Sequence, residues 1–309
     1  MGAIDARTRP ALAALVVLFA VFAIALHDDG FTSSANLLNI VRQTAPITVM
    51  AVATVFVLGA GEIDLSLGSV VALAALVTAE VLRDQSIVLA VAAGLGTGLA
   101  IGAANGAFTT LLRLPSFLVT LASMGIVAGL ARTVSDLQSV AVADADFVAV
   151  FGTGDVGPIP GLALWGLGAV GVGHVALRRR RFGAHVLATG DNERAARISG
   201  IHVGRVRFAA LVLSGGAAAL AGILYTGRLQ GATYSLGEQD LLVVIAAVVI
   251  GGTRLFGGEG SVAGALFGSL LMGMLTNGLI LWGLSSSEQL IAQGVVLLAA
   301  ISLTMRGRP

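Results

Sequence analysis

Ten apolar stretches, most of them near 20 residues, constrain this chain more than any other feature. They run over 11–27, 37–60, 65–82, 87–112, 117–133, 161–177, 208–226, 240–252, 262–281 and 288–305. A helix of about 20 apolar residues crosses a bilayer core, and a backbone in lipid must satisfy its own hydrogen bonds. Only 11% of the 309 residues are charged, against roughly 25% in soluble domains. The expectation is an all-α polytopic membrane protein of about ten transmembrane helices, one integrated domain over 1–309. The unequal lengths imply tilted or broken helices.

Every basic residue is arginine, and arginine placement sets the orientation. With a cytoplasmic N-terminus, Arg7, Arg9, Arg113, Arg178 to Arg181, Arg194, Arg197, Arg205, Arg207, Arg254, Arg306 and Arg308 lie inside, 14 of the 18. Arg42, Arg83, Arg132 and Arg228 stay outside. That bias predicts both termini in the cytoplasm. The absence of lysine removes the P-loop lysine, so ATP is not hydrolysed here through a Walker A site. The absence of cysteine excludes disulfides and thiolate metal sites. Four histidines lack metal-binding spacing, no GxSxG elbow occurs, and a net charge of +1 gives no nucleic-acid footprint. No enzyme chemistry and no metal is expected. The first stretch reads as a retained helix, not a signal peptide.

Within "LGAGEIDLSLGSV", Glu62 and Asp64 are the only charged residues between Arg42 and Glu80. Residues 43–79 suit two tightly joined helices, with the acids at a cytoplasmic-side break, where ionised groups cost less than at the bilayer centre. Asp64 is expected to cap a helix starting at Leu65. A purely structural cap and a gate facing solute both remain open. In "FGTGD", Asp155 resembles the second aspartate of intramembrane aspartyl proteases, but no paired Tyr-Asp exists, and a turn in the acidic external segment 134–160 is the reading.

Glycine numbers 42, about twice its usual share of roughly 7%. Gly94, Gly98, Gly102 and Gly106 recur every fourth residue, and Gly260, Gly264 and Gly268 repeat the spacing. Such ladders let helices approach closely in lipid; Gly251 and Gly252 are placed in the same packing class. "SLG" occurs at Ser66–Gly68 and again at Ser235–Gly237, a faint sign of the inverted repeats found in transporters. The longest internal loop, about 178–207, contains a short amphipathic helix over Asp191 to Ile198, capped by Asp191 or Asn192. Flanking arginines suit anionic membrane lipid, and the helix equally suits a groove on a soluble partner.

"DNERAARISGI" resembles the cytoplasmic loop of ribose-type ABC importer permeases. "GEIDLSLGS", "NGAFTTLLRLPSFLVTLASM" (Asn105 to Met124) and "IAAVVIGGTRLFGGEGSVAGALFG" (Ile245 to Gly268) are similar to further segments of that family, in order, over about residues 50 to 270. The resemblance implies an inner-membrane subunit importing a small sugar or polyol. It implies cytoplasmic ATPase subunits that bind ATP and magnesium, a solute-binding protein, and a second permease copy, identical or sister. This chain itself would carry no cofactor. By that resemblance Asp191, Asn192, Glu193, Ala195, Ala196, Arg197, Ser199 and Gly200 form the coupling helix. Glu62, Asp64, Ser66, Asn105, Phe117 and Thr120 take the translocation pathway or gate. The chain departs from the family where Glu-Leu-Asp often precedes Ile-Ala-Ala: here Leu241 replaces an acid, and Glu238 and Asp240 come earlier. Contacts with solute at the external mouth are therefore not carried over.

Two rival readings share some of these features. A branched-chain amino-acid permease would have the same helix layout without "GEIDLSLGS". An ion-coupled secondary transporter would use Glu62 or Asp64 for protons or sodium and leave the 178–207 loop without a task.

Overall fold

The computed structural model describes residues 8–306, with side chains through 302, so Arg7 and Arg308 and the side chain of Arg306 lie outside it. Each of the ten expected stretches falls on a helix. These are α1 (Arg9–Ala25), α2 (Ser34–Gly59), α3 (Leu67–Asp84), α4 (Ile87–Leu111), α5 (Ser116–Ser135), α7 (Gly161–Arg179), α10 (Val203–Leu229), α11 (Asp240–Ile250), α12 (Val262–Leu281) and α13 (Ser286–Arg306). The short α6 (Ala145–Phe151) lies in the external segment, and α8 (Arg181–Asp191) and α9 (Glu193–Ile198) occupy the long loop. Among the described residues six helices, α2, α4, α5, α7, α10 and α12, are long and apolar enough to cross a membrane. At 11 residues, α11 rises only about 16 Å, half a bilayer core. The chain is an all-α polytopic membrane protein.

At the centre stands α2, 26 residues long, with α7, α10, α11 and α12 around it. Its C-terminal half is mostly apolar and buried on every face, the pattern of a helix with no lipid exposure. Packing against it is polar where it can be satisfied: the Thr48 and Ser269 hydroxyls lie 2.7 Å apart between α2 and α12. The glycine ladder of α4 faces inward. A Cβ at Gly98 would strike the Gly215 carbonyl of α10, one at Gly102 would lie 2.6 Å from the Leu211 carbonyl, and one at Gly94 would meet Thr78 of α3. Gly106 rests on Phe208, Gly251 and Gly264 bring α11 and α12 into backbone contact, and Gly260 sits on Val55. Gly252 has φ +87°, a turn residue rather than a packing one. The opposite faces of α4 and α5 stay apolar and exposed.

The bundle has two distinct ends. At one, Arg42 of α2 grips Asp155 at 2.7 and 2.9 Å, and strand β1 (Val140–Ala141) pairs antiparallel with β4 (Gly231–Ala232). Asp155 lies in a hairpin of β2 (Asp155–Val156) and β3 (Ile159–Pro160), in agreement with the turn reading. At the other end, Gly258 N–H donates to the Gly59 carbonyl at 3.1 Å. There Gly190 packs so tightly between Gly59, Gly257 and Gly258 that a Cβ would collide with backbone.

The two "SLG" segments meet. A Cβ on Gly68 would clash with the Gly237 carbonyl, and one on Gly237 would lie 3.0 Å from the Gly68 carbonyl. The breaks that precede α3 and α11 thus touch each other inside the bundle.

Candidate functional site

Residues 60–66 leave α2 and enter α3 without regular structure, and their backbone is held by side chains of α5. Ile63 N–H donates to Ser116 Oγ at 3.1 Å, and Leu65 N–H donates to Thr120 Oγ1 at 3.0 Å. A non-helical backbone at membrane depth is tolerated only where protein partners satisfy it, which explains two hydroxyl residues one helical turn apart at the start of α5. Asp64 and Ser66 project toward α4 and α10. Asp64 accepts from Ser66 N–H at 2.9 Å, from Ser66 Oγ at 2.6 Å and from Ser214 Oγ at 2.7 Å. Asn105 Nδ2 donates to Ser66 Oγ at 3.0 Å. Glu62, Asp64, Ser66, Asn105 and Thr120 are all buried.

Asp64 does not cap α3 as the sequence suggested. The helix begins at Leu67, and Ser66, its N-cap residue, accepts no helix N–H through its side chain. Both Asp64 oxygens are already engaged by Ser66 and Ser214, so the carboxylate ties the break to α10 instead.

Glu62 turns the other way, toward the 178–207 segment. Its Oε1 lies 2.5 Å from Arg207 Nε, near the start of α10. Arg207 Nη2 also bonds Glu193 Oε2 at 2.8 Å, and Glu193 Oε1 accepts from Arg197 at 2.6 and 3.0 Å. One guanidinium therefore joins the break to α9. The Arg197 hydrogen bond, and after it the Arg207 charge, outweigh partial burial and hold the Glu193 carboxyl below its usual 4.5. A polar cleft of about 540 Å³ opens beside this chain, lined by Glu62, Thr109, Arg113, Phe117, Arg197 and Arg207 among others. Phe117 is half exposed at its wall and makes no part of the buried cluster.

The short helix expected over Asp191 to Ile198 is α9 (Glu193–Ile198), and a second helix not expected from the sequence, α8, precedes it in the same segment. Asn192 is extended (φ −151°, ψ 98°), which ends α8, and its side chain accepts Ala195 N–H at 3.0 Å, which starts α9. Asp191 closes α8 beside Gly258, whose φ is +84°. Ser199 is the C-cap of α9, and Gly200, at φ +82°, makes the left-handed turn that glycine favours at a helix end. The two alanines separate: Ala195 is exposed, whereas Ala196 is 4% exposed and packs inward. Ile198 is 88% exposed.

A family model described as branched-chain amino acid transport system / permease component matches residues 36–301. The ribose import permease protein of Escherichia coli (strain K12) is 37% identical over 295 residues, 94% of this chain and 91% of that protein. Its counterpart in Bacillus subtilis (strain 168) is 38% identical over 285 residues, 92% and 88% of the two chains. The L-arabinose transport system permease protein of Escherichia coli (strain K12) is 34% identical over 290 residues, 93% and 88%. The chain belongs to the ribose-type ABC importer permease family. No solved structure matches it.

For an ABC permease, a subunit of a multi-pass inner-membrane transporter, the arrangement divides cleanly. Residues assigned by resemblance to the coupling helix lie at one end of the bundle; of those assigned to the gate, Asp64, Ser66, Asn105 and Thr120 gather at the buried break, Glu62 pairs with Arg207, and Phe117 stands apart at the cleft wall. Three participants went unnoticed in the sequence. Arg207 was only one of several loop arginines, Ser214 looked like an ordinary small residue of an apolar helix, and the 251–261 turn gave no hint of touching α8. A seven-residue interval from Arg207 to Ser214 was the available signal: it places both on one face of α10, against two acids spaced by two.

Proposed function

We propose that this permease imports a small sugar or sugar-like polyol, received from a solute-binding protein and driven by cytoplasmic ATPase subunits. The observation that carries this reading is α9 itself. It presents exposed Ala195, Arg194, Arg197 and Ile198 outward while Glu193 is bonded through Arg207 to the buried break. An ATPase groove closing on α9 shifts a two-state equilibrium between outward- and inward-facing bundles. ATP and magnesium belong to that partner. The sugar is assigned by analogy with the ribose and arabinose permeases, and the "GEIDLSLGS" segment favours them over an amino-acid permease.

In this account the ten helices form the membrane-embedded bundle, with α11 as a half-length element and the 60–66 break as a discontinuity, and both termini are cytoplasmic. A second permease copy completes the path, whose gate is Glu62, Asp64, Ser66, Asn105, Phe117 and Thr120. Glycine seams along α4 and between α11 and α12 let helices shift with little steric cost.

The test is co-purification of the tagged chain from its native membrane in mild detergent. A stoichiometric ATPase subunit supports the reading. A chain that purifies alone in several mild detergents supports an ion-coupled transporter and overturns it.

A further inference from the structure

Arg207 is bound on both sides by carboxylates from segments far apart in sequence. Glu62, in the 60–66 break, lies 2.5 Å from its Nε, and Glu193, on α9, lies 2.8 Å from its Nη2. The guanidinium fork can serve two acids at once, which a lysine point charge does less well. Arg207 is itself mostly buried, and Glu62 is almost wholly so. Two turns further along α10, Ser214 holds Asp64 at 2.7 Å. One face of α10 therefore grips both acids of the break, and the break in turn holds α5 through Ser116 and Thr120 and α4 through Asn105.

We propose that Arg207 is the positioning residue of coupling: it transmits displacement of α9 to the 60–66 break, and hence to α4 and α5, through a series Glu193–Arg207–Glu62. This deepens the importer reading and rests on it. Elements in series fail as a unit. Once one link is cut, cutting the other adds nothing, whereas two independent structural contacts lose function multiplicatively.

The experiment is a double-mutant cycle on the complete transporter, with permease, ATPase and binding protein reconstituted in proteoliposomes. Solute imported per ATP hydrolysed is measured for wild type, Glu62→Gln, Glu193→Gln and the pair. Wild type must first show ATP-dependent import; without it the importer reading fails, independently of the relay. Given that, each single variant is expected to lower the ratio about tenfold, within the range of coupling mutations, and the double variant to match the worse single. Multiplying losses, about a hundredfold for the pair by the same arithmetic, overturn the relay, as does an unchanged ratio in both singles. If Glu62→Gln fails to insert, the cycle of Glu193→Gln with Arg207→Gln reads the same link, with the same two outcomes.

Discussion

Ile198 is the position where docking of α9 can be turned into a number. It is 88% exposed at the end of a six-residue helix, between Arg197 and the Gly200 turn, with little of its own chain to pack on. Covered by an apolar groove on an ATPase, the side chain gains what it loses on truncation to alanine. Three carbons at about 0.8 kcal/mol each give up to ~2.4 kcal/mol, and exposure slightly below complete brings this to about 2 kcal/mol. That corresponds to roughly 30-fold in dissociation constant. The assay is titration of the ATPase subunit onto the permease in nanodiscs, with wild type and Ile198→Ala compared at one nucleotide state. Thermal stability of the isolated permease is expected to be the same for both, because the side chain is exposed. A change in affinity below about twofold, or ~0.4 kcal/mol, refutes the argument that α9 docks through this residue.

Further expectations follow from neighbouring geometry. Ala195→Arg puts a bulky charge on the exposed face of α9 and is expected to separate ATP hydrolysis from uptake with membrane insertion intact; uptake measured against ATPase rate checks this. Gly190→Ala forces a Cβ into the Gly59 carbonyl and the 257–258 backbone, an overpacking cost of about 1–3 kcal/mol visible as a lower unfolding temperature in detergent. Asp64→Asn keeps one acceptor oxygen where the carboxylate met three donors, and is expected to retain part of ATP-driven uptake; abolition of a proton-dependent, ATP-independent flux instead would favour the secondary transporter. The Glu193 carboxyl is held below 4.5 by Arg197 and then Arg207, so its contribution to stability is complete above that pH and disappears as acidification passes through the lower folded value. The stability difference between wild type and Glu193→Gln is therefore expected to be constant above pH 4.5 and to shrink below it; a difference that grows on acidification contradicts the sign.

Helix positions were legible because lipid demands long apolar runs, and each run became a helix within a few residues of its expected limits. The break at 60–66 was legible for the complementary reason: two acids inside such a run need partners, and a turn supplies them. Their partners were not legible. Arg207 lies 145 positions from Glu62 in sequence, and nothing local singles it out from Arg205. Asp64 was assigned to its own helix because capping is a local interaction, while the actual competitor, Ser214, comes from another helix. The same limitation applies to α9. Six residues are too few for periodicity to fix a face, so Ala195 and Ala196 read alike until packing turned one inward. Asn192, by contrast, was one of two residues with the right side chain for a cap, and it became one. The paired "SLG" segments carried more meaning than three residues suggest, since Gly68 and Gly237 are in backbone contact where two helix starts converge.

The central claim is that motion of this bundle is driven by ATP hydrolysis on a partner bound at α9. The most direct measurement is solute accumulation in proteoliposomes holding the permease and loaded binding protein, with and without the ATPase subunit, under ATP or under an imposed proton or sodium gradient. The account predicts accumulation only with the ATPase and ATP, and none from either gradient alone. Gradient-driven accumulation by the permease without its ATPase would contradict it.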